Sequence, residues 1–167
     1  TIVAIRKILK FPDQDLRIKA KPVETFDEEL KALTDDMFET MHSVNGIGLA
    51  ATQIGIAKRV AVIDISQEKN EPLVIINPVI QILDPYKIED YDEGCLSIPG
   101  FFETISRPSD VKLTFQDLSG QKKEIKPKGL LTKVVQHELD HLNGRLFVDH
   151  ISELKRRRIR NKIVKQK

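Results

Sequence analysis

The sequence predicts an α+β domain, with antiparallel sheets around a central helix, one helix near the N-terminus and a basic helix at the C-terminus. Three observations carry this. Helical periodicity is confined to three separated segments, β-branched runs lie between the first two of them, and no repeat or linker divides the 167 residues. A chain of this length builds one core, so a single domain over 1–167 is expected, with 152–167 as its basic terminal helix.

Thr25 and Glu28 have capping-box spacing, and Leu30, Leu33, Met37, Phe38 and Met41 recur at helical intervals. They predict a helix over 27–42 that stops before Asn45 and Gly46. Strands are predicted over 60–65, 73–83 and 111–115, and over 122–125 after the turn Asp117-Leu118-Ser119-Gly120. From Gly129 onward, Leu130, Val134, His137 and His141 share one helical face, with Gly144 as the stop. The last segment sets Leu154, Ile159 and Ile163 as a thin apolar stripe among basic residues.

Composition narrows the function classes. Hydrophobic residues make up 40% of the chain, and no stretch approaches the roughly 18 apolar residues of a membrane helix. Arg6 and Lys7 interrupt the first apolar stretch, which argues against a secretory leader in the chain as given, and a lone Cys95 cannot form an internal disulfide. A cytoplasmic location is expected. The net charge of +2 hides a polarity: residues 152–167 carry +7, leaving −5 for the rest. Such a tail fits an anionic partner or a solvated helix equally well.

The sharpest chemical signal is His137-Glu138-Leu139-Asp140-His141. Two histidines four apart on a helix project their imidazoles toward one point, which suits a divalent metal, and Glu138 sits where a base is useful. A catalytic site of this kind needs a third protein ligand and an open position. Ten residues after His137 stands Phe147, which excludes the extended metalloprotease pattern, and the downstream acids Asp149 and Glu153 lie too close in sequence. Upstream, Cys95 lies in the Gly- and Pro-bearing segment 92–99, where an exposed, turn-rich backbone is expected and not the middle of a packed strand. Its thiolate would complete the set; a small buried hydrophobe is the competing reading. The segment Gly46-Ile47-Gly48-Leu49-Ala50-Ala51-Thr52-Gln53 lacks phosphate-loop spacing. Its small residues allow close backbone approach by a peptide, and Gln53 offers an uncharged amide donor; a tight loop at a helix end is the alternative.

Taken together, the three segments resemble the GxGLAAxQ, EGCLS and QHExDHLxG motifs of the peptide deformylase family, at 46–53, 93–97 and 136–144. The resemblance runs from Leu9-Lys10-Phe11-Pro12-Asp13 to Arg157-Arg158-Ile159-Arg160. It implies that Cys95, His137 and His141 coordinate one divalent metal, making the central helix a metal-binding one, and that Glu138 acts as general base and then acid. It further implies that the Gln53 side chain and the Leu96 backbone N–H stabilise the oxyanion formed when a formamide is hydrolysed. The implied reaction removes the formyl group from N-terminal formyl-methionine of nascent polypeptides and releases formate. Fe(II) is the metal implied in cells, with Zn, Ni or Co accepted.

The same resemblance lays an extended peptide against Ile47 and Gly48. It places Tyr91, Gly94, Leu96, Leu130 and Val134 around an apolar methionine pocket, with Lys133 beside it. Some relatives carry arginine where this chain has Phe102, so that contact does not transfer. Glu93 and Arg107 are candidates for a supporting ion pair, whereas His42 and His150 read as surface or structural histidines. The implied partners are a formylated nascent peptide and, through the basic helix, the ribosome near its exit tunnel; no membrane is implied. Two rival readings stay open at this stage: a zinc peptidase that cuts internal bonds, and an RNA- or ribosome-binding module with a purely structural metal.

Overall fold

The computed structural model describes residues 2–166. Its elements are α1 (Glu28–Ser43), β1 (Gly48–Ala50), β2 (Val60–Ile63), β3 (Leu73–Ile82), β4 (Ile88–Cys95), β5 (Ile98–Pro108), β6 (Val111–Gln116), β7 (Lys122–Ile125), α2 (Leu130–Leu142) and α3 (Glu153–Lys165). An antiparallel five-stranded sheet runs in the order β1-β2-β3-β6-β7, and β4 pairs with β5 in a separate hairpin. The architecture is α+β, as the sequence predicts.

The five-stranded sheet is sandwiched, and β2 shows why its residues are uniformly apolar. Val60 and Val62 point into a cluster with Leu30, Leu33, Met37 and Met41 of α1, whereas Ala61 and Ile63 join Val134, Val135 and Leu142 of α2 on the other face. Alternation along a strand serves two cores here, so no polar position remains. A third cluster holds the hairpin: Ile98 and Ile105 pack with Phe11, Leu16, Leu146, Phe147 and, from α3, Ile159 and Ile163. Leu154, expected in that stripe, is 57% exposed. It belongs to the first turn of α3 and lies off the Ile159–Ile163 row.

Two local readings need correcting. The α1 cap is Asp27, whose carboxylate accepts the Leu30 N–H at 3.1 Å; a carboxylate at that position suits the positive end of the helix dipole. The segment around Cys95 is less exposed than expected: Cys95 is the half-buried last residue of β4, paired with Ile98 across the two-residue turn Leu96-Ser97, at a strand end and not in a strand's middle. The α2 helix lies between the five-stranded sheet and this hairpin, joined to the latter by Gln136 Nε2 donating to the Pro108 carbonyl at 2.8 Å.

Candidate active site

A cleft of about 560 Å³ runs between the segment 44–48, the β4–β5 hairpin and one face of α2. Ile47, Gly48, Gln53, Tyr91, Gly94, Cys95, Leu96, Val134, His137 and Glu138 all line it. Leu130, expected there, does not; it packs onto the Ala50, Ile63 and Val135 cluster, on the same face of α2 as Val134 but one turn earlier, past the stretch of helix that lines the cleft.

At the closed end of the cleft three donors converge. His141 Nε2 lies 3.2 Å from Cys95 Sγ and 3.1 Å from His137 Nε2, and the three ligand atoms lie within 4.8 Å of one another. A tetrahedral cation with bonds of ~2.1 Å to nitrogen and ~2.3 Å to sulfur holds its donors ~3.4–3.6 Å apart, so the set fits one divalent ion with a corner left for solvent or substrate. Burial and the facing His137 hold His141 well below its ordinary pKa of 6.5, in the neutral form that ligates a metal.

The groups behind the ligands are ordered by charge. His137 Nδ1 meets Glu93 Oε1 at 2.9 Å, fixing which nitrogen faces the site. Arg107 pairs with Glu93 through both Nε and one terminal nitrogen, the latter at 2.8 Å, and its other terminal nitrogen reaches Asp140 Oδ2 at 3.0 Å. Burial opposes the Glu93 charge, but hydrogen bonds from Arg107 and His137 bring its carboxyl down to about 2. Asp140 also accepts from His150 Nε2 at 3.0 Å, so His150 is an exposed end of the same network. His42 is half-buried, 6.0 Å from the Phe38 ring.

Glu138 is 3% exposed, and burial pushes its carboxyl up to about 7. Its Oε1 has no hydrogen-bond partner among the described residues, leaving it free for a proton. Gln53 is pinned by the Ala50 N–H, which donates to Oε1 at 2.9 Å; its Nε2 donates to Ser97 Oγ at 3.0 Å and lies 3.6 Å from Cys95 Sγ. The amide therefore presents its donor end to the metal side. Lys10, which also lines the cleft, donates from Nζ to the Leu96 carbonyl at 3.0 Å and holds that residue in place.

Sequence reasoning missed Ser97, Lys10 and the Asp140 link. Asp140 had a readable signal, since it stands three residues after His137 on the flank of α2 that faces the hairpin.

A half-buried cysteine sulfur, two imidazoles and a carboxyl of raised pKa at the end of a peptide-sized cleft define a metal-dependent hydrolase. Residues 5–157 match the polypeptide deformylase family. The chain is 55% identical to a peptide deformylase of Cellvibrio japonicus, over 98% of this chain and 96% of that one. A crystal structure of a peptide deformylase from Legionella pneumophila superimposes with a TM-score of 0.91 at 50% identity, covering 97% of this chain and 95% of the other. One from Ehrlichia chaffeensis in complex with actinonin gives 0.92 at 38% identity, covering 98% of each. The chain belongs to the peptide deformylase family, hydrolases that remove the N-terminal formyl group from nascent peptides.

Proposed function

We propose that the whole chain is one catalytic domain in which Cys95, His137 and His141 hold a single divalent cation, iron(II) in cells, and Glu138 moves the protons of formyl hydrolysis at N-terminal formyl-methionine. The observation that carries this is the meeting of Cys95, His137 and His141 beside Glu138 in the cleft. When bound, the cation acidifies a water and polarises the formyl oxygen. The thiolate among the ligands favours a soft first-row ion such as iron(II), zinc, nickel or cobalt.

The chain's own groups do the rest. Glu138 accepts a proton from the attacking water and delivers it to the departing amine, a task that a carboxyl of pKa about 7 performs in both directions near neutral pH. The Gln53 amide, oriented by Ala50 and Ser97, and the Leu96 N–H donate to the oxygen that becomes negative; one such donor is typically worth about 10²–10³ in rate. Ile47 and Gly48 offer backbone to an extended peptide, and Val134, Tyr91, Gly94 and Leu96 surround its first side chain.

Formate release from formyl-Met-Ala-Ser, without cleavage of casein, tests the reading against a general peptidase. Glu138→Ala should abolish it while metal content stays near one per chain; loss of the metal together with activity would refute the assignment of Glu138 as base. Elemental analysis after anaerobic purification tests iron.

A cytoplasmic location agrees with the lone cysteine and with the absence, among the described residues, of a helix long and apolar enough to cross a membrane. Ribosome docking through α3 is supported by its exposed Arg158, Arg160 and Lys162. Because Ile159 and Ile163 are buried, the test is charge reversal at those three positions, not truncation. Co-sedimentation with ribosomes equal to that of the unaltered chain would remove the idea.

A further inference from the structure

Lys133 is the one lysine among the described residues that is buried, at 4% exposure, and it lines the cleft one residue before Val134 and four before His137. Its Nζ approaches Glu89 Oε2 at 3.0 Å, yet off the alignment that a hydrogen bond requires, and makes no hydrogen bond to any described residue. A buried ammonium held by one such contact does little for stability, and an apolar residue of the same volume would serve a core as well. Its placement points elsewhere.

Glu89, Tyr91 and Glu93 share one face of β4. Glu93 anchors His137 at the metal end of α2, and Glu89 anchors Lys133 one turn earlier, so two acid-to-helix rungs bracket the part of the cleft lined by Tyr91 and Val134. The Lys133 stem thus crosses the end remote from the metal. Glu89 itself is 61% exposed on a two-stranded hairpin, which makes the far rung the weaker one.

We propose that Lys133 is a specificity-determining residue: clamped by Glu89, its aliphatic stem closes the side-chain pocket and sets the length of the first residue admitted. The proposal rests on the deformylase reading above. It concerns pocket length only, and the ammonium serves as the tether.

The test is the ratio of kcat/KM for formyl-2-aminooctanoyl-Ala-Ser to that for formyl-norleucyl-Ala-Ser, two peptides that differ by two methylenes. Taking the ratio within each variant cancels any general loss of activity. Lys133→Ala should raise it at least tenfold, since each methylene in an apolar pocket is worth about 10-fold or more. Glu89→Gln should raise it several-fold by untying an intact stem, and Lys133→Met, which keeps a stem of similar length but has no ammonium to tether, should raise it by about as much as Glu89→Gln and less than Lys133→Ala. An unchanged ratio in Lys133→Ala or in Glu89→Gln would overturn the proposal. Calorimetric binding of the deformylated peptides norleucyl-Ala-Ser and 2-aminooctanoyl-Ala-Ser should show the same ordering without turnover. An unaltered chain that released no formate from formyl-Met-Ala-Ser would overturn the deformylase reading, while the calorimetric ordering would still decide the role of Lys133.

Discussion

Gly48 and Glu138 compete for one volume: a Cβ on Gly48 would collide with Glu138 Oε2 and lie 3.1 Å from Val134 Cγ1. Gly48 does not need a positive φ, so alanine there meets no backbone strain, but it meets the Glu138 carboxylate and, less severely, Val134. Gly48→Ala is therefore expected to push Glu138 off its position while leaving the three metal ligands in place. The loss expected in kcat is about 10²–10⁴, the usual range for a misplaced proton-transfer group, with metal content unchanged. Steady-state kinetics with elemental analysis checks both halves.

In the proposed metal site Glu93 would act on the cation through His137. Glu93→Gln keeps the shape but loses the charge that orients the imidazole and faces Arg107, and such changes typically lower metal affinity about 10–100-fold. Competition with a chelator reads this directly. Arg107→Ala is the harsher change, since it strands the buried Glu93 and leaves Asp140 without its guanidinium partner. Removing one member of a buried pair costs about 3–5 kcal/mol, measurable as a lower urea midpoint.

Asp36 gives a pH dependence away from the metal. Its carboxylate accepts the Ala4 N–H at 2.8 Å and pairs with Arg6 at 2.8 Å, tying the N-terminal segment to α1. The Ala4 hydrogen bond, opposed by burial and aided by Arg6, holds its pKa below 3.8. A depressed carboxyl contributes its full stability above the unfolded value near 3.8 and loses it as pH falls through the lower folded value. Asp36→Asn should therefore be less stable than the unaltered chain at neutral pH, and the two urea midpoints should converge in acid. Midpoints that stay equally far apart at every pH would refute this.

How much of this was legible in the sequence follows from which forces are local. The α1 and α2 helices were, because their apolar positions repeat at 3.6 residues and each packs one face on the sheet. The two histidines proposed as ligands were, because helical spacing puts them on one face, whereas Cys95 joins them only through the fold. Strands β4 and β5 were not. Ile88-Glu89-Asp90-Tyr91-Asp92-Glu93-Gly94-Cys95 has little β-propensity, and its pairing comes from cross-strand partners such as Thr104 on Asp92, which lie 12 residues away. A still larger separation in sequence hid the Lys133–Glu89 contact. Leu130 was misplaced because helical spacing tells which residues share a face but not how far the cleft extends along it.

The α3 helix separates two kinds of leucine-like position, and their contrast yields the last prediction. Ile159 and Ile163 are 4% and 5% exposed in the cluster that also holds Ile98, Ile105 and Phe147, so α3 forms part of the support under the hairpin that carries Cys95. Ile159→Ala removes three carbons from this cluster and should cost about 2–5 kcal/mol, the range for buried large-to-small changes. Leu154→Ala, on solvent, should cost less than about 0.5 kcal/mol. The destabilised variant should also lose metal at lower urea than it loses helix, because Cys95 ends the strand paired with Ile98 in that same cluster. Parallel titrations followed by circular dichroism and metal release would show the two curves separating in Ile159→Ala and coinciding in Leu154→Ala; coincident curves in both would mean that α3 does not support the metal site.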